Sequence, residues 1–167
     1  MLFCFGLGFT GTRLARAVQA AGGAAAGTCR EAERLAALRA EGIDAHLFER
    51  DRPLQDAAAQ LNGVTHLIDS VPPDGAGDAV LDCHGADIAA IEGLQWIGYL
   101  STTGVYGDHA GGWVDEATPP APLTERAGRR VAAEQAWRAF GLEHGIAVHV
   151  FRLAGIYGPG RSALDLV

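Results

Sequence analysis

The first residues with the types and spacing for specific chemistry are glycines. Gly6-Leu7-Gly8-Phe9-Thr10-Gly11 reads G-x-G-x-x-G, and each glycine has its own physical task in a strand-to-helix turn. Gly6 permits the tight turn, Gly8 lets the backbone approach a pyrophosphate, and Gly11 lets the helix pack close to the strand. The start of that helix offers unpaired N–H groups and a partial positive charge, both suited to phosphate. Gly6, Gly8, Phe9, Thr10 and Gly11 are therefore candidate residues for holding a dinucleotide. In a chain with 23 glycines among 167 residues the spacing alone is weak evidence. Its place strengthens it, because it follows the first apolar run directly and opens a helical pattern.

A second signal lies about 20 residues further on, where an NAD site carries an Asp or Glu for the ribose 2′-hydroxyl. Here the chain reads Thr28-Cys29-Arg30, with no carboxylate before Glu31. The planar fork of an arginine pairs with phosphate oxygens rather than with a hydroxyl. Arg30, with Thr28 adding a hydroxyl donor, points to the 2′-phosphate of NADP(H) in preference to NAD(H). The plainer reading of Arg30 is a solvated residue ahead of a helix. Asp51 is a further candidate for the adenine end, on residue type alone.

These residues need a scaffold, and apolar runs alternate with helical patterns from the start. Strands are expected at Leu2 to Phe5, Ala24 to Thr28, Ala45 to Phe48, Thr65 to Asp69, Trp96 to Ser101 and Val148 to Leu153. Helices are expected from about Gly11 to Ala21, with Leu14 and Val18 on one face, and from Glu31 to Glu41, with Leu35 and Leu38 inward. Further helices are expected at Leu54 to Leu61, Asp78 to Ile91 and Thr124 to Glu143. A Gly- and Pro-rich excursion from Gly104 to Pro122 is long enough to be a functional loop. Alternation with short connections implies a doubly wound α/β fold, a parallel sheet of about six strands in the order 3-2-1-4-5-6.

Composition narrows the partners. Hydrophobic residues make up 49% and charged residues 20% of the chain, which describes an ordinary globular protein. A formal net charge of -7 argues against nucleic acid or an anionic membrane as partner. No apolar run reaches the length of a membrane span, and Met1 to Phe5 is too short for a signal peptide. Cys4, Cys29 and Cys83 form no C-x-x-C pair and read as reduced residues of a cytoplasmic protein. The six histidines show no metal spacing, so no metal site is expected. All thirteen basic residues are arginines.

Two later segments add a resemblance. Tyr99-Leu100-Ser101-Thr102-Thr103-Gly104-Val105-Tyr106-Gly107 and Arg152-Leu153-Ala154-Gly155-Ile156-Tyr157-Gly158-Pro159-Gly160, taken with the glycine loop, resemble the extended short-chain dehydrogenase/reductase family, also called the NAD-dependent epimerase/dehydratase family. Ser70-Val71-Pro72-Pro73 and Trp113-Val114-Asp115-Glu116 are similar to an atypical branch of it. The likeness runs from Leu2 to about Arg161. It implies a Rossmann fold, and it adds Ser70, Val71 and Ser101 to the cofactor-binding residues. It also implies a catalytic Ser/Thr, Tyr and Lys, with subunit pairing through the long helix. Extended members continue past the sixth strand into a further strand and a substrate domain. Residues 1–167 are accordingly expected to be the dinucleotide-binding domain, with the substrate domain absent or truncated.

Thr102 matches the Ser/Thr position of the family. At the Tyr-x-x-x-Lys positions stand Arg126 and Arg130, four apart and so on one helix face, expected toward the cofactor. An arginine with a pKa above about 12 does not trade protons near neutral pH, so the usual acid/base is missing. Tyr157 and Arg161 share the spacing, but Gly158-Pro159-Gly160 forbids a helix between them. Tyr99 and Tyr106 have no basic residue four positions on. His109, Asp115 and Glu116, all in the long loop, are the remaining candidates for proton transfer. Two functions stay open: an oxidoreductase- or epimerase-like enzyme with nonstandard catalytic groups, and a noncatalytic NADP(H)-binding sensor or scaffold.

Overall fold

A computed structural model describes residues 1–162. Six parallel strands make one sheet: β1 (Leu2–Phe5), β2 (Ala25–Cys29), β3 (Asp44–Leu47), β4 (His66–Asp69), β5 (Trp96–Thr102) and β6 (Ala147–Leu153), in the order β3-β2-β1-β4-β5-β6. The expected order is the observed one. Between them run α1 (Phe9–Ala20), α2 (Ala32–Ala40), α3 (Ala57–Gln60), α4 (Ala79–Ala89) and α5 (Glu125–His144). Strand order reverses between β1 and β4, and the crevice outside the carboxyl ends of strands at such a switch point is where ligands bind in this class of sheet.

Each face of the sheet has its own core. On one, Phe3, Phe5, Val80, Ile97, Tyr99 and Trp137 pack beneath α3, α4 and α5. On the other, Cys4, Leu7, Ala15, Leu38 and Ile43 pack beneath α1 and α2. β1 is buried at every position, which is why it reads as an unbroken apolar run rather than an alternation.

The inward face of α1 differs from the expected one. Gly11, Thr12 and Ala15 are buried, while Leu14 is 36% exposed. Gly11 decides this: a Cβ on it would lie 2.5 Å from the Gly6 carbonyl oxygen, so the helix is rotated to bring its glycine against the turn. At 3.6 residues per turn Ala15 follows Gly11 inward and Leu14 falls to the flank. In α2, Leu38 is fully buried and Leu35 half-buried. The helix expected over Leu54 to Leu61 shrinks to Ala57–Gln60, because Asp56 takes a left-handed φ of 49° and Leu54 instead donates its N–H to the buried His84 ring at 2.9 Å. Thr124 caps α5 by accepting from the Ala127 N–H, and Gly145, at φ 67°, ends it. Of the expected excursion after β5, Thr103–Tyr106 forms a 3₁₀ turn.

Candidate functional site

At the switch point opens a cleft of about 630 Å³, within the range for small-molecule sites. The glycine loop forms its floor. Gly6 has φ +93°, a value open to glycine, and its N–H donates to Thr28 Oγ1 at 3.0 Å. The Leu7 N–H donates to the Thr28 carbonyl at 2.6 Å. Thr28, 1% exposed, thus ties the loop to β2 and uses its hydroxyl oxygen to do so. Gly8 precedes α1 with no side-chain cap, and a Cβ there would meet nothing within 4 Å. The amides of Phe9, Thr10 and Gly11 have no intrahelical partner. Open space above Gly8, locked neighbours at Gly6 and Gly11, and unpaired amides fit a pyrophosphate.

The Phe9 ring serves another purpose. The Arg13 guanidinium lies 3.5 Å above its centroid, that of Arg161 lies 5.3 Å away, and a Cβ on Gly158 would touch it at 3.0 Å. Arg13 Nη2 also donates to the Pro159 carbonyl at 2.6 Å. The start of α1 is thereby clasped by the segment that follows β6.

At the end of β2, Arg30 is exposed and lines the cleft. Arg34, one turn into α2, lines it too and donates from Nη2 to Thr12 Oγ1 at 3.0 Å. Two other cleft arginines are neutralised, Arg50 by Asp74 and Asp82 and Arg129 by Glu125. Arg30 and Arg34 form no ion pair among the described residues. Of the cleft carboxylates, Glu49 is paired with Arg52 and Asp74 with Arg50, while Glu31 forms no ion pair among the described residues. Asp51 is not among the lining residues; its neighbour Arg50 is.

The opposite wall is the turn after β4. Ser70 and Val71 both line the cleft, the Ser70 N–H donating to the Phe5 carbonyl at 2.9 Å and the Val71 N–H to Asp69 Oδ1 at 2.8 Å. Arg50 anchors the rest of the turn, donating from Nε to Asp74 and from Nη1 to Asp82, each at 2.6 Å. Its guanidinium holds the Asp74 carboxyl below the usual range. Under this wall lies a buried group with no local sequence signature. Trp137 Nε1 donates to Asp69 Oδ2 at 3.1 Å and to Asp78 Oδ2 at 3.2 Å. Burial, then the Asp78 charge, raises Asp69 well above an ordinary carboxyl, and burial raises Asp78 too. The pair therefore favours a proton on Asp69 beside Asp78, whose Oδ1 accepts the Val80 and Leu81 N–H groups at 3.1 Å each.

The residues expected at the catalytic positions, apart from Arg126, lie around the end of β5. Thr102 Oγ1 accepts the Gly104 N–H at 3.1 Å, which leaves the hydroxyl proton for another acceptor. Ser101, 6% exposed, does not line the cleft; its hydroxyl donates to Glu134 Oε1 at 2.6 Å. Arg152 closes that buried pair at 2.8 Å and lies over the Tyr106 ring at 4.8 Å. Arg130 donates from Nη1 to the Leu100 carbonyl at 2.8 Å and to the Tyr99 hydroxyl at 3.1 Å. Burial pushes that hydroxyl above its usual value. Arg126 is exposed, and on this helix Arg129, rather than either of them, lines the cleft.

The loop candidates are otherwise engaged. His109 Nε2 donates to the Tyr106 carbonyl at 3.2 Å. The Asp115 carboxylate accepts from the Thr118 hydroxyl at 2.9 Å, which holds its pKa below the usual value. Tyr157 is 82% exposed, and Gly158 and Arg161 close a tight bridge. Among the described residues no group of three His, Cys, Asp or Glu could hold a metal ion, and no helix is long and apolar enough to cross a membrane. Cys4, Cys29 and Cys83 are free.

Residues 6–165 match the model of the NAD dependent epimerase/dehydratase family. The chain is 34% identical over 168 residues to protein YeeZ of Escherichia coli strain K12, covering 93% of this chain and 58% of that protein. A solved conserved protein of Silicibacter pomeroyi DSS is 46% identical with a TM-score of 0.85, over 99% of this chain and 56% of that one. The UDP-glucuronic acid 4-epimerase of Bacillus cereus, solved with NAD, shares the fold at 17% identity and a TM-score of 0.77, over 94% of this chain and 56% of that one. The chain thus spans somewhat over half the length of the relatives it matches.

Proposed function

The chain belongs to the NAD dependent epimerase/dehydratase family, and from that premise we propose that its cleft holds NADP(H) in preference to NAD(H). The uncapped start of α1 at Gly8, open to the cleft between a left-handed Gly6 and a locked Gly11, carries the dinucleotide reading. The amides of Phe9, Thr10 and Gly11 face the pyrophosphate, and Ser70 and Val71 form the wall beside it. Arg30 and Arg34, which no carboxylate neutralises among the described residues, outnumber the single unpaired Glu31 and favour a 2′-phosphate.

When bound, such a cofactor accepts or donates a hydride. The chain's own part is an oxidoreductase- or epimerase-like reaction on a small molecule, with the Thr102 hydroxyl donating a hydrogen bond to the reacting oxygen. Arg126 and Arg130 stand in for the usual Tyr and Lys, so they supply charge and hydrogen bonds but no proton transfer. A second reading, a noncatalytic NADP(H) sensor or scaffold, is favoured by one observation: Arg130 is spent on the Leu100 carbonyl and the Tyr99 hydroxyl. We read residues 1–167 as a dinucleotide-binding domain of a cytoplasmic protein.

Titration of the purified chain with NADPH and NADH is the first test, and tighter NADH would overturn the preference. NADPH consumption over a panel of carbonyl and sugar-nucleotide substrates then separates the two readings. Turnover that falls in Thr102→Ala supports the enzyme, and tight binding with no turnover supports the sensor.

A further inference from the structure

We propose that Arg34 is a second selectivity residue for the adenosine 2′-phosphate, and that the buried hydroxyl of Thr12 sets its position. The inference rests on the NADP(H) reading above and names two residues that the sequence motifs do not single out. A phosphate monoester carries a charge of about -1.5 to -2 and three acceptor oxygens. One exposed arginine meets such a group weakly, because solvent screens the pair. Arg30 is exposed, so on its own it offers modest discrimination.

Arg34 is half-buried, lines the same cleft and follows Arg30 by four residues, across the uncapped start of α2. Its only side-chain hydrogen bond among the described residues runs from Nη2 to Thr12 Oγ1 at 3.0 Å. That hydroxyl has its proton committed to the Leu7 carbonyl at 3.0 Å, so its oxygen is held ready as an acceptor. The guanidinium is thereby oriented by a neutral hydrogen-bond partner, with its Nε and Nη1 protons uncommitted among the described residues and only the longer-range pull of Glu41, itself paired with Arg16, on its charge. An anion gives these donors the stronger, charge-assisted bond that a hydroxyl cannot.

Thr12 is 2% exposed and lies behind the loop, so it acts on the cofactor through its neighbours. Its bond to Leu7 supports the glycine loop, and losing that bond weakens NADH and NADPH alike. Its bond to Arg34 matters to the 2′-phosphate alone. The ratio of the two affinities therefore isolates the second role.

The experiment measures NADPH and NADH dissociation constants for the unaltered chain, Arg34→Met, Thr12→Val, Thr12→Ser and the Arg34→Met/Thr12→Val pair, with apo melting curves to check folding. Arg34→Met should weaken NADPH by roughly 10- to 100-fold with NADH nearly unchanged, the range for one charged hydrogen bond. Thr12→Val should lower the NADPH-to-NADH preference several-fold, Thr12→Ser should restore it, and the double variant should show the ratio of Arg34→Met alone. Equal losses of both cofactors in Arg34→Met would assign Arg34 to the pyrophosphate and overturn the proposal, as would no loss. A folded unaltered chain that binds neither dinucleotide overturns the cofactor reading itself, and this proposal with it.

Discussion

Asparagine in place of Asp69 should change how stability depends on pH, by an amount that follows from one buried proton. Asp69 is fully buried, and its pKa is raised by burial and by the neighbouring Asp78 carboxylate. In the unfolded chain the same carboxyl loses its proton near pH 4. Between that value and the higher native one, the folded protein binds a proton that the unfolded one has released. Stability is therefore full below pH 4 and declines as pH rises, by about 1.4 kcal/mol per pH unit per proton. Asp74, held low by Arg50, contributes in the opposite sense, losing its stabilisation as pH falls. That contribution is common to both proteins and cancels in the comparison.

The amide of Asp69→Asn can accept from the Val71 N–H and donate to Asp78 without titrating. The assay is urea unfolding of both proteins at half-unit steps from pH 4.5 to 6.5. The stability difference should drift in favour of the variant by about 1.4 kcal/mol per unit, until Asp69 releases its proton in the native protein. For a chain of this size that corresponds to roughly 3–6 °C in Tm per unit. Parallel curves across the range would mean that Asp69 is already ionised in the fold, and would refute the buried-proton account.

Four further outcomes follow from the geometry already described. Gly8→Ala should leave Tm nearly unchanged and weaken dinucleotide binding tenfold or more, while Gly11→Ala, with its Cβ 2.5 Å from the Gly6 carbonyl, should lose binding and about 1–3 kcal/mol of stability in unfolding titrations. Arg152→Met should cost about 3–5 kcal/mol by the same measure, because it leaves the buried Glu134 charge with only the Ser101 hydroxyl. Trp137→Phe should cost about 1–3 kcal/mol, since one N–H serves two buried carboxyl groups.

The sheet was legible because its strands are apolar runs bounded by glycine and proline, and the turn from β1 into α1 because its glycines answer to local geometry. The helix faces were less so. Leu14 looks like a core residue by periodicity, yet a glycine contact sets the rotation of α1. Arg34 carried a usable signal, its spacing of four from Arg30, which goes unnoticed until both residues are placed beside the start of α2. The Asp69, Asp78 and Trp137 group had none. Trp137 stands 68 and 59 residues from its two partners, and only the packing of α5 against the sheet, beside the end of β4 and the start of α4, brings them together. At Arg126 and Arg130 sequence spacing defined a face, but not that Arg130 would turn to the end of β5 while Arg129 took the cleft.

The clasp around Phe9 has a consequence for the order of events as the chain is made. Arg13 reaches a carbonyl 146 residues further along, so the helix that follows the glycine turn is fastened by one of the last described segments to be synthesised. β1 and α1 leave the ribosome before the other described elements, and β2 lets β1 begin to pair early. The loop nevertheless waits for β4, β5 and β6 before its outer edge is secured. Contacts of such long separation form late, since the closure of a long loop must precede them. A nascent chain can thus hold a native-looking N-terminal half while its cleft is still unfinished, and a ligand of that cleft should slow unfolding without speeding refolding.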